Sequence, residues 1–208
     1  MLGPMKIALA QINPTVGDLP GNRRLAQAAA DQAVSAGADC IVLPELALTG
    51  HPPMDLLARD RFVDDQLAEL DELAKTSRHI VIVVGAVTRT DEIQPKGILN
   101  SAVVLVDGRR HAVRSKTLLP TYDVFDEQRY FEPGPRIDLR EVDGVKLGVS
   151  ICEDLWNDRE TFTRQLYHDN PVDELAQAGA QLFINCSASP YIVRKHAFRL
   201  KLMANVAK

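Results

Sequence analysis

The sequence predicts an α/β layered domain built on a mixed sheet, and three observations carry that expectation. Short apolar, β-branched runs alternate with helical stretches along most of the chain. Two Asp-Gly pairs, Asp107-Gly108 and Asp143-Gly144, each lie between strand-like runs. Such pairs signal hairpins, so antiparallel strands must join the parallel ones. The 208 residues are 46% hydrophobic and 25% charged, which suits one globular domain able to bury a sizeable core.

The elements follow in order. Residues 6–12 read as a short buried strand, broken by Asn13, Pro14, Gly17, Asp18 and Pro20. Asn22 is placed to cap a helix whose apolar stripe is Leu25, Ala29, Ala33 and Ala36, and Gly37 stops it. A second buried strand over residues 40–43 ends at Pro44 and Glu45. Past Pro52 and Pro53, a helix carries Phe62, Val63, Leu67, Leu70 and Leu73 on one face. Residues 80–87 are almost wholly β-branched and apolar, as in a central strand buried on both faces. Residues 99–106 and 109–115 form the first hairpin, and residues 137–142 and 145–151 the second. Between them, residues 116–135 show no period, and an irregular segment of that length points to function. Asn170-Pro171 opens a helix that Gly179 ends, residues 181–185 form a strand, and a last helix runs from about Arg194. Ala197, Leu200, Ala204 and Ala207 are expected on its buried face, and it meets the C-terminus without a stop signal.

Composition narrows the function classes. The chain has 24 Lys+Arg against 28 Asp+Glu, a net charge of −4, which disfavours a nucleic-acid or anionic-membrane surface. No apolar run approaches the ~20 residues of a membrane span, and the N-terminus lacks a cleavage pattern. Cys40, Cys152 and Cys186 are odd in number and far apart, which fits reduced thiols and a cytoplasmic setting. No CxxC pair is present, so a structural zinc site is not expected.

Three chemistry-bearing side chains fall at predicted strand ends. Cys152 follows VKLGVSI, in which Val145, Leu147, Val149 and Ile151 share one face. Gly148, Ser150 and, by extension, Cys152 share the other, smaller and more polar one. Strand ends are where open α/β sheets bind ligands. Glu45 and Lys116 end their own strands, so neighbouring strands would bring a thiol, a carboxylate and a cation together. That set can run acyl transfer: the thiolate attacks an amide carbon, the carboxylate moves the proton, and the ammonium stabilises the oxyanion. Cys40 and Cys186 also lie near strand ends, so position alone does not choose the nucleophile. The rival is a Cys-His pair drawn from His51, His79, His111, His168 or His196, none beside a recognisable cysteine-protease signature.

The motifs PEL at residues 44–46, SKTLLP around Lys116 and SICED at residues 150–154 resemble the Glu-Lys-Cys set of the nitrilase superfamily of carbon–nitrogen hydrolases. TGHPPMDLL (49–57), KTLLPTYDVFDEQRYFEPG (116–134), GVSICEDLW (148–156) and NCSASPY (185–191) narrow this. They resemble the N-terminal glutaminase domains of glutamine-dependent NAD+ synthetases. The resemblance implies a nitrilase-like αββα sandwich, with Glu45 as base, Lys116 as oxyanion cation and Cys152 as nucleophile on the side-chain amide of L-glutamine. It also implies that Tyr122, Phe125, Glu127, Glu153, Ser189 and Lys195 form the substrate-binding set. Glu127 would be a second carboxylate near the triad, and Glu153 would hold the α-ammonium. Arg194 departs from the pattern, standing where these domains often carry a small residue.

By the same resemblance the chain is a glutaminase domain over residues 1–208, incomplete at its C-terminus and without the synthetase domain. No Ser-Gly-Gly-rich ATP loop occurs, so no cofactor is expected in this chain. ATP, Mg and deamido-NAD+ belong to the synthetase domain, which would receive the ammonia. A fused synthetase partner and a homo-oligomer are implied. Two other readings stay open: a stand-alone amidase or nitrilase-like hydrolase of another small amide, and an inactive docking or oligomerisation fragment.

Overall fold

A computed structural model describes residues 5–90, 92, 94–134, 139–142 and 144–208. The first sheet contains β1 (Ile7–Leu9), β2 (Cys40–Val42), β3 (Val81–Arg89), β4 (Ile98–Val106) and β5 (Arg109–Ser115), in that spatial order. β1, β2 and β3 run parallel, and β3, β4 and β5 alternate antiparallel. The second sheet holds β6 (Arg140–Val142), β7 (Val145–Ile151) and β8 (Leu182–Cys186), with an antiparallel and a parallel pair. Both sheets are mixed, as the hairpin signals predict. Asp107 and Gly108, at φ 51° and 80°, turn the β4–β5 hairpin. Of the second hairpin, residues 137, 138 and Asp143 lie outside the described residues, as does Pro135 at the end of the long segment.

Alternation along β3 explains the layering. Ile82, Val84 and Ala86 pack under α1 (Leu19–Ser35) and α2 (Asp60–Ala74), together with Ala26, Ala30, Leu70 and Leu73. Val81 and Val83 face the other way, into a core shared with Leu147, Val149, Ile151 and Ile184 of the second sheet. α4 (Pro171–Gln177) covers the far side of β7, capped by the Asn170 side chain on the Asp173 N–H. The result is four layers, helix–sheet–sheet–helix, with the facing sides of the two sheets sharing one core.

Two helix registers differ from expectation. α1 begins at Leu19, with Asp18 as its cap, accepting from the Gly21 N–H at 3.0 Å. Asn22 sits inside the helix and points inward, its amide bonded to both Thr15 backbone groups and to the Leu48 carbonyl. The inward face is therefore Asn22, Ala26, Ala30 and Ala33, which leaves Leu25 exposed. In α5 (Lys195–Val206) the buried residue is Leu202, whereas Leu200 is 55% exposed. This helix packs on the turn that follows β7, through Phe198 against Trp156, rather than on a sheet.

Candidate active site

Glu45 is delivered by a segment pressed onto β3. The Gly85 N–H donates to the Pro44 carbonyl at 3.2 Å, and the Leu48 N–H to the Gly85 carbonyl at 3.3 Å. A Cβ on Gly85 would stand 2.3 Å from both Leu46 N and Pro44 O, so only glycine permits this approach. Lys116 leaves β5 with its N–H on the Asn100 carbonyl at 2.8 Å. Its Nζ lies 2.8 Å from Glu45 Oε1 and 2.6 Å from Glu127 Oε1, with Lys116 and Glu45 each 1% exposed. Glu127 comes from the short helix α3 (Glu127–Tyr130) inside the irregular segment after β5. Asn100 closes the cluster, its Nδ2 donating to Glu45 Oε1 at 2.8 Å and to Glu127 Oε2 at 3.3 Å. The Ala188 N–H donates to Glu45 Oε2 at 3.2 Å.

Cys152 does not continue the alternation of β7. It adopts φ 38° and opens a 3-10 turn, Cys152–Leu155, so the turn rather than the strand aims its thiol. Asp154 fixes that turn. Its Oδ2 accepts from the Ile151 N–H at 3.0 Å, and its Oδ1 accepts from the Thr117 and Leu118 N–H groups at 3.0 Å each. One buried carboxylate thus ties the Cys152 turn to the residues just after Lys116. Glu153 and Asp154 are both buried.

The charges answer to this packing. Burial works against the Lys116 ammonium, yet Glu45, Cys152 and Glu127 outweigh it and hold its pKa well above the usual lysine value. Burial also opposes ionisation of Glu45, but Lys116, His51 and Asn100 prevail and keep it below the ordinary carboxylate range. Glu127 goes the other way: burial, reinforced by Glu45, pushes it up to about 7 against Lys116. Burial, with Glu45, pushes the Cys152 thiol up to about 12, opposed by Lys116 and a hydrogen bond with Ser187. The resting cluster therefore holds a thiol, an ionised Glu45 and an ammonium. Cys40 and Cys186 belong to the core between the sheets, where burial pushes both to about 12.

A cavity of about 420 Å³ opens onto Cys152. Tyr122, Phe125, Glu153, Ser189 and Lys195 line it, so five of the six expected substrate contacts meet there. Glu127 stands apart, because its ion pair holds it behind Lys116, where it faces a separate apolar cavity of about 280 Å³. In the lining of the Cys152 cavity, Tyr122 Oη shares its proton between Glu153 Oε1 at 2.7 Å and Oε2 at 2.9 Å. In the same lining, Lys195 Nζ donates to Ser189 Oγ at 2.7 Å and to the Pro190 carbonyl at 3.2 Å. The same ammonium lies 5.1 Å from the Trp156 ring centroid.

Asn100, Asp154, Ser187 and Tyr167 were not singled out by sequence. Asn100 was hidden in an apolar strand, and a polar residue inside such a run is the signal that could have found it. Glu45, His51 and Glu127 offer ligand atoms within 4.8 Å of one another. The Lys116 ammonium already rests on both carboxylates and occupies that acidic centre.

The carbon–nitrogen hydrolase family model matches residues 6–207. The glutamine-dependent NAD(+) synthetase of Synechocystis is 44% identical over 206 residues, covering 97% of this chain and 37% of the relative. That of Thermotoga maritima is 37% identical over 201 residues, covering 94% of this chain and 32% of the relative. The chain thus spans about a third of the length of the curated relatives it matches. The solved Acinetobacter baumannii glutamine-dependent NAD+ synthetase superposes with a TM-score of 0.86 at 35% identity, covering 98% of this chain and 36% of that one. An amidase of the nitrilase superfamily from Nesterenkonia gives a TM-score of 0.76 at 24% identity, covering 97% and 71%, a likeness of fold. With four layers, mixed sheets and a match over nearly its whole length, the chain belongs to the carbon–nitrogen hydrolase family.

Proposed function

We propose that this domain hydrolyses the side-chain amide of L-glutamine to glutamate and ammonia, and that the ammonia serves NAD+ synthesis in a synthetase domain. The observation that carries this reading is the Cys152 cavity, which presents a carboxylate, Glu153, and an ammonium, Lys195, beside a thiol next to a buried carboxylate–ammonium cluster. A free amino acid is a zwitterion and needs one partner of each sign. The relatives named as glutamine-dependent NAD(+) synthetases support the choice of glutamine.

The chemistry follows from the cluster. Glu45 takes the Cys152 proton as sulfur attacks the amide carbon, forming the C–S bond and placing negative charge on the carbonyl oxygen. Lys116 stabilises that oxyanion, and its retained charge in a buried site makes the interaction strong. Collapse breaks the C–N bond, and Glu45 returns the proton to the departing nitrogen, so ammonia leaves and a glutamyl thioester remains. Water then attacks the thioester carbon as Glu45 takes its proton. The second collapse breaks the C–S bond, releases glutamate and restores the thiol with that proton.

The test is ammonia release from L-glutamine by the parent and by Cys152→Ala, beside a panel of small amides. Release by the parent that is lost in the variant supports the reading. Release that survives in the variant overturns the thioester route, and preference for another amide replaces glutamine as substrate.

A further inference from the structure

We infer that Tyr167 is a positioning residue that sets recognition of the substrate α-ammonium through Glu153, an inference that deepens the glutamine reading and rests on it. Tyr167 Oη donates to Glu153 Oε1 at 2.9 Å, and it does not line the Cys152 cavity. Tyr122 lines that cavity and bonds the same carboxylate from the front. Glu153 is 3% exposed and held between two phenols from separate segments, one residue from the nucleophile.

The segment that carries Tyr167 is built to reach Glu153. Asn157 Nδ2 donates to the Tyr167 carbonyl at 2.9 Å and to the Asp169 carbonyl at 2.7 Å. Asn157 is itself 3% exposed and stands just past Trp156, the residue that closes the Cys152 turn, so the irregular run after it is anchored near that turn at its far end. Burial and Glu153 hold the Tyr167 phenol above its ordinary pKa, so it stays a donor at neutral pH.

The geometry assigns a division of labour. A carboxylate offers about four lone-pair directions. The two phenols bring two protons: that of Tyr167 goes to Oε1, and that of Tyr122 is shared between Oε1 and Oε2. The remaining acceptor capacity on Oε2 is what an ammonium in the cavity would meet. Losing the Tyr167 hydroxyl frees Oε1 on the side away from the cavity, and the carboxylate is no longer held toward the substrate. The loss falls on binding of the amino-acid head, and the thiol chemistry at Cys152 keeps its own supports.

The test is Tyr167→Phe in this chain, with L-glutamine and with glutaramate, the same amide without the α-amino group. The expected result is a rise of about tenfold in KM for glutamine, as for a hydrogen bond to a charged group. The same result includes unchanged kcat and unchanged kcat/KM for glutaramate. Equal losses on both substrates, or no loss on glutamine, overturn the assignment. Protection of Cys152 from iodoacetamide by L-glutamate gives a second readout that needs no turnover. The parent should be protected at about tenfold lower glutamate than the variant, and equal protection overturns the assignment. A parent that hydrolyses other amides but not glutamine sinks the substrate reading, and the protection experiment still decides the role of Tyr167.

Discussion

Replacing Glu127 with glutamine should change how stability depends on pH, and the sign follows from the burial of that carboxyl. Glu127 is 8% exposed and pushed up to about 7 from an ordinary value near 4.5. Between those values the unfolded chain has released this proton and the folded chain has kept it. Stability therefore falls as pH rises through the window, because the folded state binds more protons there. At about 1.4 kcal/mol per pKa unit, the full effect is about 3 kcal/mol, complete above about pH 7. Glu127→Gln carries no such proton, so its stability relative to the parent should rise by about 3 kcal/mol across the same window. Glu45, whose pKa is lowered, contributes stability that is lost toward acid, but it is present in both proteins and largely cancels. The assay is urea unfolding followed by fluorescence of Trp156, the single tryptophan, in steps from about pH 4.5 to about pH 7.5. A difference that stays flat with pH, or that moves in the parent's favour as pH rises, would refute the reasoning. The second outcome would mean that Glu127 is ionised by Lys116 and that burial does not govern it.

Two further substitutions test the scaffold. Asp154→Asn turns an amide donor toward backbone N–H groups that now have an acceptor, and should cost about 3 kcal/mol in urea unfolding while lowering ammonia release. An unchanged unfolding midpoint would show that the carboxylate does not hold the Cys152 turn. Gly85→Ala drives a methyl group into backbone atoms of Pro44 and Leu46 and should cost about 3 kcal/mol. Because Glu45 lies between those two residues, its ammonia release should fall too, and a fully active, fully stable variant would refute the close approach.

Much of the architecture was legible because it depends on local pattern. The β-branched run of β3 identified a strand buried on both faces, and Asp107-Gly108 marked the β4–β5 hairpin with two residues that tolerate positive φ. The strand-end placement of Glu45, Lys116 and Cys152 was readable for the same reason. What escaped depends on long-range satisfaction of polar groups. Asn22 read as a cap because asparagine favours that position, and only the distant Leu48 carbonyl makes it a buried anchor. Cys152 read as one more step of strand alternation, and the contacts of Asp154 with the chain after Lys116 turn it away. Tyr167 lies in a run without periodicity, so nothing local distinguishes it from a surface aromatic.

The site is assembled across the gap between the two sheets. Glu45 and Lys116 come from the first sheet and Cys152 from the second, and the bond from the Ala188 N–H to Glu45 joins residues 143 apart in sequence. Such distant closures are late events, since loop entropy must be spent before they stabilise anything. During refolding, each sheet can collect its own hydrogen bonds before the other arrives, but the core between them, with Leu147, Val149, Ile151 and Ile184, is buried only on docking. The proposed reaction has no partial form to match: a half-docked chain would have a carboxylate and an ammonium without a thiol, or a thiol without its base. On that reading, ammonia release is a clock for the docking of two halves, and it starts only when the slowest contact closes.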